Sequence, residues 1–484
     1  MQGITLTVTL SVIIPIIFGL SGITVLTGCT KPNSEDIGGS VETQIPLQNH
    51  AGEYSLQRVQ LTQIQSLRSM RGDYAEFFLS PKVQSGGLDG SAFQGRYAKM
   101  GDLWIARDMM SLTAATIYYH LQELWHLDSS VGAADLKPKR QQVALSAIIE
   151  DGDGRVQNNA LFEVSSRALL FVTYTDTDLP ISVNSGILAH EHFHSIFYPL
   201  VLEPLIQGNF VSDAHSGLYQ LAGHAPNRSS GSVTTASNSP VPTATSPATD
   251  ASQKRRNLIY HLLWLKAINE GLADVWGWAY TWDPDFISLS LPSQKTLRTL
   301  KVQQEISSFV KAGSMKPLAA VIDQADLEDI PSLITNAGYI VGTEWARFFK
   351  QYLDTNLQNP DVSSPEGRSI ARQKMLRGII VSLGKMKNDM LALKSTAADS
   401  ELPGNIYDPV NLLQSFSETQ ENQSEASCQL LANYMHSLPK TLSKPDEKSE
   451  SSVLQKDNLR KYSCKEVSGH GFQPNEVPKE SYEK

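Results

Sequence analysis

The sequence predicts an α+β fold in two lobes: an N-terminal lobe with a mixed sheet and one functional helix, and a C-terminal lobe that is mainly helical. Three observations predict it. Short apolar runs at 142–149, 160–164 and 168–173 read as strands, and all lie in the first half of the chain. From 256 to 438 the apolar residues instead recur at helical spacing. Between these halves, residues 223–255 are rich in Ser, Thr, Ala, Pro and Asn and show no period. Such a stretch cannot bury enough apolar surface to offset the entropy of ordering it, so it reads as a disordered insertion.

Composition narrows the function. The chain has 484 residues, 41% of them hydrophobic, enough for one large core or two medium ones. A net charge of −9, with no long run of like charge, argues against a nucleic-acid partner. After the N-terminus no run of twenty apolar residues occurs, which excludes a multi-span membrane protein.

Residues 4–25 are apolar or small and end at Leu26-Thr27-Gly28-Cys29. This segment resembles the lipobox of bacterial lipoproteins, in which cleavage precedes a lipidated cysteine. The resemblance implies a signal peptide over 1–28, lipid on Cys29, and attachment to the membrane of a bacterial cell envelope. Thr30 is not Asp, so nothing argues for retention at the inner membrane. No Lys or Arg precedes Lys31, so the usual basic start is missing, and an uncleaved anchor is the alternative. Cys428 and Cys464 either pair in an oxidising envelope or stay free.

In order, residues 29–53 are polar with Pro and Gly and read as a tether. The N-terminal lobe is expected over 54–222, with a helix at 54–70, a glycine-rich loop at 86–95 and a helix at 108–127. After the strand at 142–149, Glu150-Asp151-Gly152-Asp153-Gly154 is a tight turn whose alternating carboxylates also suit Ca²⁺, although a plain hairpin is the commoner use of such a turn. Two further strands lead to a helix that Asn184 or Ser185 can cap and that Pro199 helps to end. Beyond the insertion, helices are expected near 258–280, 297–310, 334–353, 370–393 and 424–437. Residues 439–484 read as a disordered tail.

The helix near residue 190 carries His190-Glu191-His192-Phe193-His194, an H-E-x-x-H pattern. Four residues apart on a helix, His190 and His194 project from one face and supply two ligands of a catalytic zinc site. Glu191 is placed to act as general base on water. A chance match would lack a third ligand. Downstream, Asn269-Glu270-Gly271-Leu272-Ala273-Asp274 puts two carboxylates on one face of a very apolar helix, where they need a compensating partner. Glu270 completes a His₂Glu ligand set, and Asp274 can accept the outer N–H of a ligand histidine. His192 faces away from such a site, and His192 and His261 are expected to be structural.

H-E-x-x-H followed by N-E-x-x-x-D resembles the gluzincin metallopeptidases, in particular the thermolysin and fungalysin families. Two flanking segments agree. Asn159-Ala160-Leu161-Phe162 resembles the N-A-x-[FWY] edge strand on which those families hold substrate backbone. Tyr339-Ile340-Val341-Gly342-Thr343-Glu344-Trp345-Ala346 resembles a fungalysin segment in which Tyr339 stands in place of the family histidine. The aminopeptidase branch uses a tyrosine in a Y-x-x-G arrangement to stabilise the oxyanion. The resemblance therefore implies a zincin-like fold, one Zn²⁺ and a peptide or protein substrate. The implied sites are His190, His194 and Glu270 on the metal, Asp274 behind it, Glu191 and Tyr339 as catalytic groups, and Asn159 and Ala160 on the substrate. The expected activity is that of an envelope-anchored endopeptidase. An aminopeptidase would need an acidic group to grip the substrate amine, and none is identifiable in the sequence. The alternative from another class is a zinc-containing binding or scaffold lipoprotein without turnover, which would have no need of Glu191.

Overall fold

The computed structural model describes residues 39–49, 52–84, 87–151, 154–176, 178–207, 248–301, 330–358, 364–394, 409–420 and 424–437. Helices and strands are mixed, and the strands form two mixed five-stranded sheets. All of the described strands precede residue 173, and the long C-terminal elements are helical. The described residues fall within one compact unit, Asp36–Lys484.

The first sheet has the order β3-β2-β1-β7-β6. It contains β1 (Gly39–Gln48), β2 (Tyr54–Ser66), β3 (Arg71–Gly72), β6 (Tyr97–Met100) and β7 (Leu103–Ala106). Two sequence expectations are corrected here. Residues 39–48, read as tether, alternate Val41, Thr43 and Ile45 into the core and so form a strand. Residues 54–70, read as a helix, are mostly β2. Gln63 adopts a positive φ of 55°, and pairing with β1 shifts register beside it. That irregularity replaces the two-residue alternation of Val59 and Leu61 with a three-residue step to Ile64 and then Leu67, which mimics helical spacing.

The second sheet has the order β11-β12-β8-β4-β5. Its strands are β4 (Ala75–Gln84), β5 (Gly87–Ala92), β8 (Gln141–Ala147), β11 (Ala160–Glu163) and β12 (Ala168–Val172). β5 falls in the segment expected to be a glycine-rich loop, where it pairs with β4. β9 (Glu150–Asp151) and β10 (Gly154–Arg155) form an antiparallel pair, so the acidic turn closes a hairpin. The Ca²⁺ expectation rests on side chains outside the described residues. β11 is the outermost strand and runs antiparallel to β12, which leaves one backbone edge uncovered by the sheet.

Helix α1 (Met109–Val131) is capped by Asp108, whose side chain accepts from Ser111 N–H. Helix α2 (Ser185–Phe197) carries the two histidines and is buried on every side. Pro199 does not end the helical run. It has no N–H to offer, and the backbone widens into a π-turn over Tyr198–Leu202 before α3 (Glu203–Gln207). Helix α4 spans Ala248–Thr281, so the last residues of the expected insertion are helical; the earlier ones lie outside the described residues. Of the helix expected at 297–310, only α5 (Lys295–Arg298) is described, and its C-cap Thr299 is extended. Helices α6 (Ile330–Leu357), α7 (Pro365–Lys394) and α9 (Glu425–Ser437) match expectation, whereas α8 (Pro409–Thr419) was not read from the sequence. Cys428 is disulfide-bonded, while Cys29 and Cys464 lie outside the described residues. Among the described residues no helix is long and apolar enough to cross a membrane.

Two close approaches set the helix positions. A Cβ on Gly186 would lie 2.5 Å from the ring of Phe286, so only glycine lets the start of α2 sit on that ring. A Cβ on Gly271 would lie 2.4 Å from the carbonyl oxygen of Gly342, so α4 and α6 meet there backbone to backbone. Asn184 locks the first of these contacts. Its Oδ1 accepts from Gly186 and Ile187 N–H at 3.0 and 3.2 Å. Its Nδ2 donates to Phe286 O at 2.8 Å and to Ser290 Oγ at 3.0 Å. Replacing Asn184 with Ala removes a cap and leaves buried partners unsatisfied. The expected loss is about 3 kcal/mol in urea unfolding. A loss below about 1 kcal/mol would show that α2 is positioned by packing alone.

Candidate metal centre

The residues expected at the site converge at the face between α2 and α4. His190 Nε2 and His194 Nε2 lie 3.2 Å apart. Glu270 Oε2 lies 3.4 Å from His190 Nε2. In a tetrahedral site with metal–ligand distances of about 2.0–2.1 Å, donor atoms stand about 3.3 Å from each other. Both separations from His190 match that edge.

The far side of each imidazole is fixed by α4. His190 Nδ1 lies 2.9 Å from Asp274 Oδ1, as expected for Asp274. His194 Nδ1 lies 2.8 Å from Asn269 Oδ1, a role the sequence reading did not assign. These partners suit a proton on Nδ1 of each ring and leave the two Nε2 atoms on the side of the other ring. His192, on the opposite side of α2, places Nε2 2.8 Å from Asp128 Oδ2, and Lys137 Nζ closes that buried pair at 3.3 Å. This is a tie between α2 and α1, as its register predicts. The side chain of His261 lies outside the described residues.

Glu191 sits beside the histidines, and one donor atom each from His190, Glu191 and His194 falls within 4.8 Å of the others. Two carboxylates thus flank the imidazole pair, and their hydrogen bonds tell them apart. Glu191 Oε2 accepts from Phe162 N–H at 3.0 Å, which fastens it to the uncovered edge of β11. Glu270 Oε1 forms an ion pair with Lys266 Nζ at 2.8 Å, leaving Oε2 on the His190 side. Glu191 is thus tied to β11, and Glu270 turns one oxygen to Lys266 and the other to His190.

A small cleft of about 50 Å³ opens onto these groups. Asn159, Ala160, Glu191, Arg298 and Tyr339 line it, with Ile181, Ile187, Ile287 and Leu291 as its apolar part. Asn159 turns its Oδ1 onto Ala160 N–H at 2.9 Å. The ring of Tyr339 lies under two cations, 4.9 Å from the Arg298 guanidinium carbon and 5.4 Å from Lys266 Nζ. Arg298 Nη2 also bonds Asp274 Oδ1 at 2.6 Å. The sequence reading missed Arg298 because no spacing links it to the motifs. Lys266 carried a signal that went unread: it lies one helical turn before Glu270 in an apolar helix.

Burial opposes charge on His190, yet its bonds to Asp274 and Glu270 carry its pKa up to about 9. Burial pushes His194 down to about 3. Burial also lifts Glu191 to about 8, with the charge of Glu270 adding to the rise. Burial and then Glu270 hold the Tyr339 phenol well above its ordinary value, so it is a neutral donor. The metal-free protein therefore carries a proton on His190 at neutral pH, and a metal must displace it.

Two consequences follow for the metal-free protein. The His190 proton contributes stability that is complete below the ordinary histidine value and is lost as pH rises through about 9. Zinc affinity should move the other way, rising with pH up to about 9, by about tenfold per unit for each proton displaced. Competition against a chromophoric chelator from pH 6.5 to 9.5 measures this, and a flat profile would argue against His190 as a ligand. No protein-family model matches the sequence, and comparison with curated proteins finds no match.

Proposed function

We propose that the chain is a zinc-dependent metallopeptidase of the gluzincin type, hydrolysing peptide bonds at this cleft. The observation that carries the reading is the convergence of two tautomer-fixed imidazoles and Glu270 at tetrahedral spacing, with Glu191 beside them. His190, His194 and Glu270 would hold the ion, and Asp274 and Asn269 would orient the imidazoles. Zinc so held supplies Lewis acidity, polarising a carbonyl and acidifying water.

The protein's own groups supply the rest. A peptide laid antiparallel along β11 can donate an N–H to the Ala160 carbonyl and so present its backbone to Glu191. Glu191 takes the proton of the attacking water and delivers it to the leaving amine. Tyr339 donates to the carbonyl oxygen as it gains charge, and Arg298 adds positive charge on the same side. Among the described lining residues, Glu191 is the one carboxylate. No second acid stands there to grip a free amine, which favours an endopeptidase over an aminopeptidase. The finer fold reading, two zincin-like lobes flanking the cleft, belongs to the same proposal. Lipid on Cys29 would tether the enzyme to a bacterial envelope; that part rests on the lipobox-like sequence.

Glu191→Gln should keep fold and zinc content and lose about two to four orders of magnitude in casein cleavage. A variant that cleaves like wild type would overturn the peptidase reading and leave a zinc-binding scaffold. Tyr339→Phe removes one donor and keeps the ring. Its kcat should fall by about two to three orders of magnitude with zinc content unchanged. Near-wild-type kcat would take the oxyanion role from Tyr339.

A further inference from the structure

Lys266 is among the most buried of the described side chains, 2% exposed, a depth at which lysine is almost never found unless paired. Its surroundings are specific. Nζ lies 2.8 Å from Glu270 Oε1, one turn further along α4. The backbone of α6 is seated on its stem, since a Cβ on Gly338 would lie 2.5 Å from Lys266 Cγ. The Tyr339 ring lies over the ammonium at 5.4 Å. The two oxygens of Glu270 are thus divided, Oε1 toward Lys266 and Oε2 toward His190 at 3.4 Å.

We propose that Lys266 is a positioning residue that makes Glu270 a one-oxygen ligand and cancels its surplus charge, setting both the coordination number and the affinity of the metal centre. This rests on the zinc reading given above. A carboxylate near a dication can offer one oxygen or both. With Oε1 held by an ammonium, Glu270 presents Oε2 alone, and three single donors leave a tetrahedral ion room for one further group. The ammonium also draws electron density from the carboxylate, an outer-shell influence on the ligand. Its charge opposes a dication at short range, so Lys266 holds metal affinity below what three ligands would otherwise give. A purely structural lysine–glutamate pair at this spacing would affect stability and leave the metal's coordination untouched.

Two substitutions separate charge from geometry. Lys266→Met removes both the donor and the charge at similar length. Lys266→Gln keeps an N–H donor without charge. Each is compared with wild type in the full chain, loaded with Zn²⁺ for affinity by chelator competition and with Co²⁺ for its visible spectrum. Both variants should bind zinc at least about tenfold more tightly than wild type, because the opposing charge is gone. In Lys266→Met the cobalt bands should weaken, as Glu270 turns both oxygens to the metal and the ion leaves tetrahedral geometry. In Lys266→Gln they should keep the wild-type intensity. If Lys266→Met does not fold, Lys266→Gln still reports the affinity change. Unchanged affinity in a metal-binding wild type and in Lys266→Gln would overturn the proposal while leaving the zinc reading intact. A wild-type protein that binds neither metal would overturn both.

Discussion

The cleft depends on how α2 lies against α4. Neither helix holds a complete site: α2 brings two imidazoles and Glu191, and α4 brings Glu270 with Asn269 and Asp274. The contact must be right to a few tenths of an ångström, since each imidazole is oriented by a bond of 2.8 or 2.9 Å from the facing helix. Such precision comes from stiff surroundings. Phe193 of α2 packs on Trp276 of α4 with ring centroids 5.1 Å apart, and Asn184 pins the start of α2 to the turn that follows α4. The glycine contact between α4 and α6 extends the same register outward and brings Tyr339 over the cleft.

Charge is the second constraint. Glu191, Glu270 and Asp274 are all buried within one small volume, with Lys266 and Arg298 as the fixed cations beside them. Burying three acidic groups beside two cations is costly, and protons relieve it: burial lifts Glu191 to about 8, and bonds to Asp274 and Glu270 lift His190 to about 9. The site is thus arranged around a cation whether or not a metal is present. A metal at this place would take over the proton's role.

Much of the site was legible in the sequence because helical geometry converts spacing into direction. Residues 190 and 194 share a face whatever the rest of the chain does, and so do 270 and 274. The apolar neighbours of the second pair marked it as buried and hence in need of a partner. Arg298 was not legible, because its place depends on a short helix and an extended Thr299 that no local pattern announces. The first sheet was misread for a local reason. One left-handed residue, Gln63, altered the alternation of β2 and left a false helical stripe. The strand at 39–48 was hidden because its inward Thr43 and outward Glu42, Gln44 and Pro46 made it look like polar linker. Thr43 tolerates full burial because its hydroxyl donates to Trp104 O at 2.7 Å.

In the proposed peptidase, the bond from Phe162 N–H to Glu191 would join substrate holding and proton handling in one contact. The backbone groups of β11 alternate between β12 and the open edge. Phe162 N–H points to the open edge, where it is engaged by the carboxylate, and Ala160 lies two residues back on the same edge. A peptide bound along that edge at Ala160 is therefore registered relative to Glu191 by the strand itself. The two-residue period of the strand fixes Ala160 relative to Phe162, and the bond to Phe162 N–H ties Glu191 to that register. Parallel pairing of β12 with β8 behind it, and burial of every residue of β11, resist movement of the strand out of its sheet. The strand that would hold the substrate is thus tied by this bond to α2, the helix that carries both Glu191 and the histidines.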